Sequence, residues 1–112
     1  MFLKVNKNKI NVVVAKNMAD RFKGFMGKTN IDYGMLFPKC NAIHTFFMKE
    51  NIDIVGLNEE NQVIYIYRNL PKNQIVRIKN DIKKTSILEL PKDTSKEITM
   101  GSILLFEDED II

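Results

Sequence analysis

One cysteine and one histidine occur in this chain of 112 residues, and they stand four positions apart as Cys40 and His44. A thiolate and an imidazole are common zinc ligands, and together they can also form a nucleophile–base pair. The segment HTFFM that begins at His44 is β-branched and aromatic, which predicts a strand, and four residues of strand span about 13 Å. Side chains so far apart cannot share one zinc ion, so we expect no metal site and no cofactor, and interpret the pairing as coincidental.

Two acids interrupt segments that are otherwise apolar. Asp53 lies within IDIVGL, residues 52–57, and Glu89 lies within ILEL, residues 87–90. A carboxylate in such a segment needs a cation, hydrogen bonds or an open pocket. The two acids therefore indicate either a ligand site or internal pairing with a cation such as Arg21 or Lys49, and the sequence leaves both open.

His44 raises a similar question. On the alternating pattern of a strand it shares a face with Phe46 and Met48, which is more typical of a hydrogen-bonded core histidine than of a catalyst.

The segment 65–84 combines Tyr65 and Tyr67 with six basic residues and one acid. Aromatic and basic residues interleave in this way on single-stranded nucleic-acid platforms. Lysine-rich edge strands have the same composition, and only three of the 17 basic residues are arginine, the type suited to bidentate phosphate contacts. We therefore favour edge strands, and consider nucleic acid an improbable partner.

The elements that must position these residues are short. Apolar runs separated by Asn, Gly, Pro and Lys predict strands, and Asn17 is a suitable N-cap for one short helix over 17–27, which Gly24 and Gly27 would end. The expected strands are 2–5, 10–14, 35–37, 42–48, 52–57, 62–70, 75–78, 85–90 and 102–106. This pattern predicts a mainly β fold, a compact single-domain sandwich or small barrel of about eight short strands with one helix. We expect one β-rich domain over 1–106 and a short acidic C-terminal tail over 107–112.

The composition also bears on location. No apolar run approaches the roughly 20 residues of a membrane span, and the first residues lack the apolar core of a signal peptide. A lone cysteine cannot form an internal disulfide. We expect a cytoplasmic protein without a membrane partner.

Five short motifs occur in a fixed order: GFM at 24–26 after Arg21, GMLF at 34–37, TFFMK at 45–49, IDIV at 52–55, and LEL at 88–90 before Gly101. This ordered set resembles the bacterial and archaeal family called domain of unknown function 192, over about residues 10 to 106. Phe47 stands where the family usually has Trp, and Gly56 stands where a large apolar residue is usual. The resemblance implies a compact β-rich sandwich or barrel, and it implies no activity.

The leading functional interpretation is a non-enzymatic β module that binds a small molecule or a protein. Its expected site consists of Arg21, Met26, His44, Met48, Asp53 and Glu89. One alternative is a hydrolase-type enzyme in which Asp53 and Glu89 act with His44 as acid or base. A second alternative is a nucleic-acid-binding module that uses the segment 65–84. The sequence leaves the oligomeric state open, and does not tell whether these side chains meet in space.

Overall fold

The computed structural model describes residues 1–108, except for the side chains of Met18 and Phe22. Most of the expected acidic tail, residues 109–112, lies outside this part, and Glu107 belongs to the last strand. Within residues 1–108 the strands are β1 (Phe2–Val5), β2 (Asn8–Val14), β3 (Gly34–Phe37), β4 (Ala42–His44), β5 (Ile52–Leu57), β6 (Val63–Leu70), β7 (Ile75–Arg77), β8 (Ser86–Pro91) and β9 (Leu105–Glu107). The helix α1 spans Met18–Lys23, and a single 3₁₀ turn spans Ile82–Lys84.

Seven strands form one mixed sheet in the order β6-β5-β8-β3-β2-β1-β9, and β4 pairs with β7 in a separate two-stranded sheet. All neighbours are antiparallel except β2 and β3, which run parallel. The two ends of the large sheet approach each other, because Gln62 forms a β-bridge with Ile103 and the Val63 amide donates to the Ser102 carbonyl at 2.8 Å. The sheet is therefore a partly closed barrel. The expected mainly β fold is confirmed.

Two apolar cores lie on opposite faces of this sheet. The barrel interior holds Leu3, Val12, Val55, Leu57, Leu88 and Leu90, among others. The outer face of the central strands carries a second core, which includes Phe25, Phe37, Met48, Ile54 and Ile87. Residues of the small sheet, such as Val76, join this outer core, so the β4–β7 sheet covers part of the outer face. The outer core matters for function, because the candidate site lies within it.

The helix is shorter than the expected 17–27. Asn17 caps it as expected, and its side chain accepts a hydrogen bond from the Asp20 amide at 2.8 Å. Gly24 ends it with φ +46° and ψ −127°, a backbone conformation that side chains strongly disfavour. Residues 24–27 continue as turns. In the described part of the chain, no helix is long and apolar enough to cross a membrane.

The expected strand 42–48 is wrong beyond β4, which ends at His44, although the Thr45 amide still donates to the Gln74 carbonyl at 2.9 Å. Its hydroxyl donates to the Pro71 carbonyl at 2.8 Å and accepts from the Gln74 amide at 2.8 Å. The next residues turn, and Phe47 adopts a positive φ of 62° that β-branched and aromatic side chains rarely take. The turn after Thr45, in which the Met48 amide donates to the Thr45 carbonyl at 3.3 Å, thus ends the strand that the composition favoured. The last strand is also shorter than expected, since residues 102–104 form the bridge to β6.

Candidate functional site

A cavity of about 350 Å³ lies on the outer face of the large sheet, between the end of α1 and the β4–β7 sheet. Its wall is largely apolar and includes Phe25, Met26, Phe37, Ile43, Met48 and Ile82. Pockets for small molecules are typically of this size and are lined by apolar side chains with a few polar groups. A water molecule occupies about 30 Å³ in the liquid, so a cavity of this volume has room for roughly ten non-hydrogen atoms.

The carboxyl group of Glu89 forms part of the cavity wall. β8 carries it on the outer face of the sheet, opposite Met35 of β3 and Ile54 of β5. The side chain is only 4% exposed, and its Oε1 atom is buried without a hydrogen-bond partner within the described part of the chain. Burial in this apolar wall raises the pKa of Glu89 to about 8, so that the carboxyl group is mostly protonated at neutral pH.

Gly24 brings the backbone close to this carboxyl group. A Cβ atom added at Gly24 would lie 3.4 Å from Glu89 Oε1 and 3.5 Å from the ring of Phe37. These are ordinary contact distances, so it is the positive φ that favours glycine at this position, beside Glu89.

Arg21 lines the cavity but is occupied elsewhere. Its guanidinium donates to the carbonyls of Pro38 at 2.7 Å and Lys39 at 2.9 Å, which fastens α1 to the turn before β4. The ion pairs found within residues 1–108 join Lys4 and Lys9 to Glu107. The expected alternative, in which Arg21 or Lys49 neutralises Glu89, is therefore absent from the described chain.

His44 and the loop after it form one side of the cavity. The half-buried His44 ring accepts a hydrogen bond at Nδ1 from the Phe46 amide at 3.2 Å and stacks on the Phe46 ring at a centroid distance of 5.1 Å. Phe47 is 75% exposed, while its carbonyl accepts from the Gly27 amide at 3.0 Å and ties this loop to the segment after α1. Met48 then returns to the cavity wall.

Cys40 and His44 both line the cavity, although the sequence spacing suggested that they are unrelated. They share the cavity because Cys40 lies in the turn before β4, so the residues between them do not form one extended strand. Cys40 is buried, and its thiol donates to the Ala42 carbonyl at 3.1 Å. Within residues 1–108, no group of three or more His, Cys, Asp and Glu residues could hold a metal ion.

Asp53 lies away from the cavity. It pairs across the ladder with Leu90, whose side chain is in the barrel interior, whereas Glu89 pairs with Ile54 of the outer core. Cross-strand partners share a face of the sheet, so the two carboxyl groups face opposite sides. Asp53 is 1% exposed and accepts three hydrogen bonds, from the Asn69 amide at 2.8 Å and from the amide and hydroxyl of Ser95 at 3.1 and 2.6 Å.

The structure thus brings together five of the six expected site residues and separates the sixth, Asp53. The five that line the cavity are Arg21, Met26, His44, Met48 and Glu89. Sequence reasoning missed Phe37, Cys40, Ile43 and Ile82 as cavity residues. The Gly24–Met26 motif was visible in the sequence, but no local pattern there indicates that it approaches Glu89.

Two solved structures share this fold. A protein of unknown function from Novosphingobium aromaticivorans DSM 12444 superposes with a TM-score of 0.77 at 16% identity, over 94% of this chain and 82% of that one. A proposed transcription regulator from Sinorhizobium meliloti 1021 superposes with a TM-score of 0.74 at 19% identity, over 93% of this chain and 89% of that one. At these identities the likeness concerns the fold alone.

The sequence comparisons are more specific. A UPF0127 protein from Thermococcus sibiricus (strain DSM 12597 / MM 739) is 31% identical over 80 residues, which cover 63% of this chain and 52% of the relative. The match thus spans about half the length of that relative. The model of the DUF192 family, described as Uncharacterized ACR, matches residues 1–104. The chain belongs to the DUF192 family.

Proposed function

We propose that this protein is a non-enzymatic module that binds a small, largely apolar molecule in the cavity beside Glu89. The observation that carries the proposal is the buried Oε1 atom of Glu89, which lacks a hydrogen-bond partner in the described chain and lies in an otherwise apolar wall. An unsatisfied buried polar group destabilises a folded protein by about 1–3 kcal/mol. Proteins commonly retain such a group where it contacts a ligand.

The loop beside the cavity supports the same proposal. Phe47 combines a positive φ with a largely exposed aromatic ring, and it directly precedes Met48 of the cavity wall. Unfavourable backbone conformations cost about 1–3 kcal/mol each and cluster at binding and switch regions. An orphaned carboxyl oxygen thus lies in the cavity wall, and a strained residue directly precedes Met48 of the same wall.

The test uses protein labelled with ¹³C at the methionine methyl groups, titrated with toluene as an apolar probe. We expect the methyl signals of Met26 and Met48 to shift in a saturable way, while that of the exposed Met100 stays in place. Ala42→Phe, which fills the cavity from β4, should abolish the shifts, and Leu105→Phe on exposed β9 should preserve them. Toluene shifts that persist in Ala42→Phe, or fail to appear in the folded wild type, would contradict the proposal.

The two alternative functions receive less support from the geometry. The hydrolase alternative needs Asp53 and Glu89 to act on one substrate, but their carboxyl groups face opposite sides of the sheet. The nucleic-acid alternative needs one continuous platform over 65–84, but β6 and β7 lie in different sheets. Arg68 in this segment donates to the carbonyls of Ser95 and Ile98 at 3.2 and 2.6 Å, so it is used within the fold.

We also propose that the protein works in the cytoplasm. The support is its single cysteine, which is free and buried, in keeping with a reducing compartment. Fractionation of cells that express the chain with its natural flanking sequence tests this location, and recovery in an extracytoplasmic fraction would contradict it.

A further inference from the structure

We infer that the cavity selects neutral molecules that carry a carboxamide-like group, a hydrogen-bond donor and acceptor side by side, on an apolar body. This inference rests on the proposed ligand-binding function and specifies its ligand class. Its basis is the chemistry that surrounds the Glu89 carboxyl group.

The charge of the site depends on the titratable side chains around Glu89. The other titratable side chains that line the cavity are Arg21, Lys23, Cys40 and His44. Both terminal nitrogens of Arg21 donate to backbone carbonyls, the Cys40 thiol donates to the Ala42 carbonyl, and His44 Nδ1 accepts from the Phe46 amide. Lys23 is exposed at the end of α1. No described ion pair neutralises Glu89, so an ionised carboxylate in this wall would be a buried, uncompensated charge.

The hydrogen bonds that the site offers depend on the protonation of Glu89. A protonated carboxyl group provides one O–H donor and further acceptor capacity, whereas an ionised one only accepts. Burial raises the pKa of Glu89 to about 8, so the protonated form is the main one at neutral pH. A carboxamide is complementary to that form, because its N–H and C=O match the acceptor and donor of the carboxyl group in one planar pair.

Charged ligands fit the cavity less well than neutral ones. An ammonium group would require ionised Glu89, and among the lining residues no second acid is present to favour a cation. Arg21 and Lys23 at the same cavity oppose a cation further. A carboxylate ligand beside Glu89 would place a desolvated charge in the apolar wall, because the Arg21 guanidinium is committed to backbone carbonyls and Lys23 is exposed at the end of α1. A neutral polar group has neither cost.

The test compares four probes that share one ring: benzamide, toluene, benzylamine and benzoate. Binding is followed by the Met26 and Met48 methyl signals at about pH 6.5, where Glu89 is protonated and the amine and the acid are ionised. We expect benzamide to bind at least about tenfold more tightly than each other probe, the discrimination that a good hydrogen-bonded pair supplies. At about pH 9.5 the preference of the wild type for benzamide over toluene should fall, because ionised Glu89 no longer donates to the benzamide carbonyl and only accepts from its N–H.

Two variants separate the role of the carboxyl group from that of the cavity. Glu89→Gln keeps a donor and an acceptor without titrating, so it should prefer benzamide at both pH values. Glu89→Leu should lose that preference while still binding toluene. The inference is overturned if benzylamine or benzoate binds most tightly, or if benzamide and toluene bind equally at about pH 6.5. Either result leaves the proposed cavity function standing. Failure of all four probes to shift the methionine signals of the folded protein overturns both.

Discussion

Asp53 and Glu89 are both buried acids in apolar strands, but the fold supplies partners to only one of them. Asp53 accepts three hydrogen bonds from Asn69 and Ser95, whereas Glu89 Oε1 has none within the described chain. The sequence identified both residues as needing an explanation, since each has apolar neighbours on the chain. It did not tell them apart, because the partners of Asp53 come from residues 16 and 42 positions away.

The first prediction concerns Asp53→Asn. The amide of asparagine would turn an N–H₂ group toward amide or hydroxyl donors, so at least one hydrogen bond is lost and a donor is left unsatisfied. We expect the free energy of unfolding to fall by about 1–3 kcal/mol in urea denaturation. Asp32→Asn, at an exposed position, is the control and should change stability by less than about 0.5 kcal/mol. Unchanged stability of Asp53→Asn would show that these three hydrogen bonds do not hold the carboxylate.

At the scale of elements, Thr45 attaches the cavity loop to the rest of the fold at the end of β4. Its hydroxyl joins the loop to the segment between β6 and β7 through Pro71 and Gln74. The β-branched, aromatic run 44–48 predicted a strand, but the chain turns after Thr45, whose carbonyl accepts from the Met48 amide at 3.3 Å and whose hydroxyl has two distant partners. Local composition cannot reveal such partners, because β propensity depends strongly on tertiary context.

The second prediction follows from this attachment. Thr45→Val keeps the shape but removes the buried hydroxyl that bonds the Pro71 carbonyl and the Gln74 amide, so we expect a loss of about 1 kcal/mol in unfolding free energy. Hydrogen exchange should accelerate at the Gln74 amide. Thr29→Val, at an exposed position, is the matched control and should leave both quantities nearly unchanged. If exchange at Gln74 stays as slow in Thr45→Val as in wild type, Thr45 does not anchor the loop.

At the scale of the whole molecule, the strand positions were largely predictable, but their pairing was not. Apolar runs separated by Asn, Gly, Pro and Lys marked β1, β2, β5, β6 and β8 close to their observed bounds. Three features of the pairing depend on long-range contacts. They are the parallel β2–β3 pair, the place of β8 between β5 and β3, and the closure near Gln62 and Ile103. Register also determines which face each side chain takes, so the separation of Asp53 from Glu89 could not be read from the chain.

The third prediction concerns the pH dependence of global stability. The pKa of Glu89 is raised from an ordinary value of 4.5 to about 8, so the folded state binds this proton more tightly than the unfolded state. The stabilisation is complete below about pH 4.5 and is lost as the pH rises toward about 8, with a slope of at most about 1.4 kcal/mol per pH unit. We expect wild type to lose stability over this range relative to Glu89→Gln, which does not titrate, and the difference to level off above it. A difference that is constant with pH would contradict the burial of an unpaired Glu89.

In the function proposed above, the Glu89 carboxyl group serves a ligand and does not stabilise the fold. The most direct test is the free energy of unfolding of Glu89→Leu against wild type near neutral pH, without added ligand, with Glu59→Leu at an exposed position as the control. Because an apolar side chain removes an unsatisfied buried polar group from an apolar wall, we predict that Glu89→Leu is more stable by about 1–3 kcal/mol. A loss of stability of similar size in Glu89→Leu would contradict the claim, because it would show that the carboxyl group serves the fold.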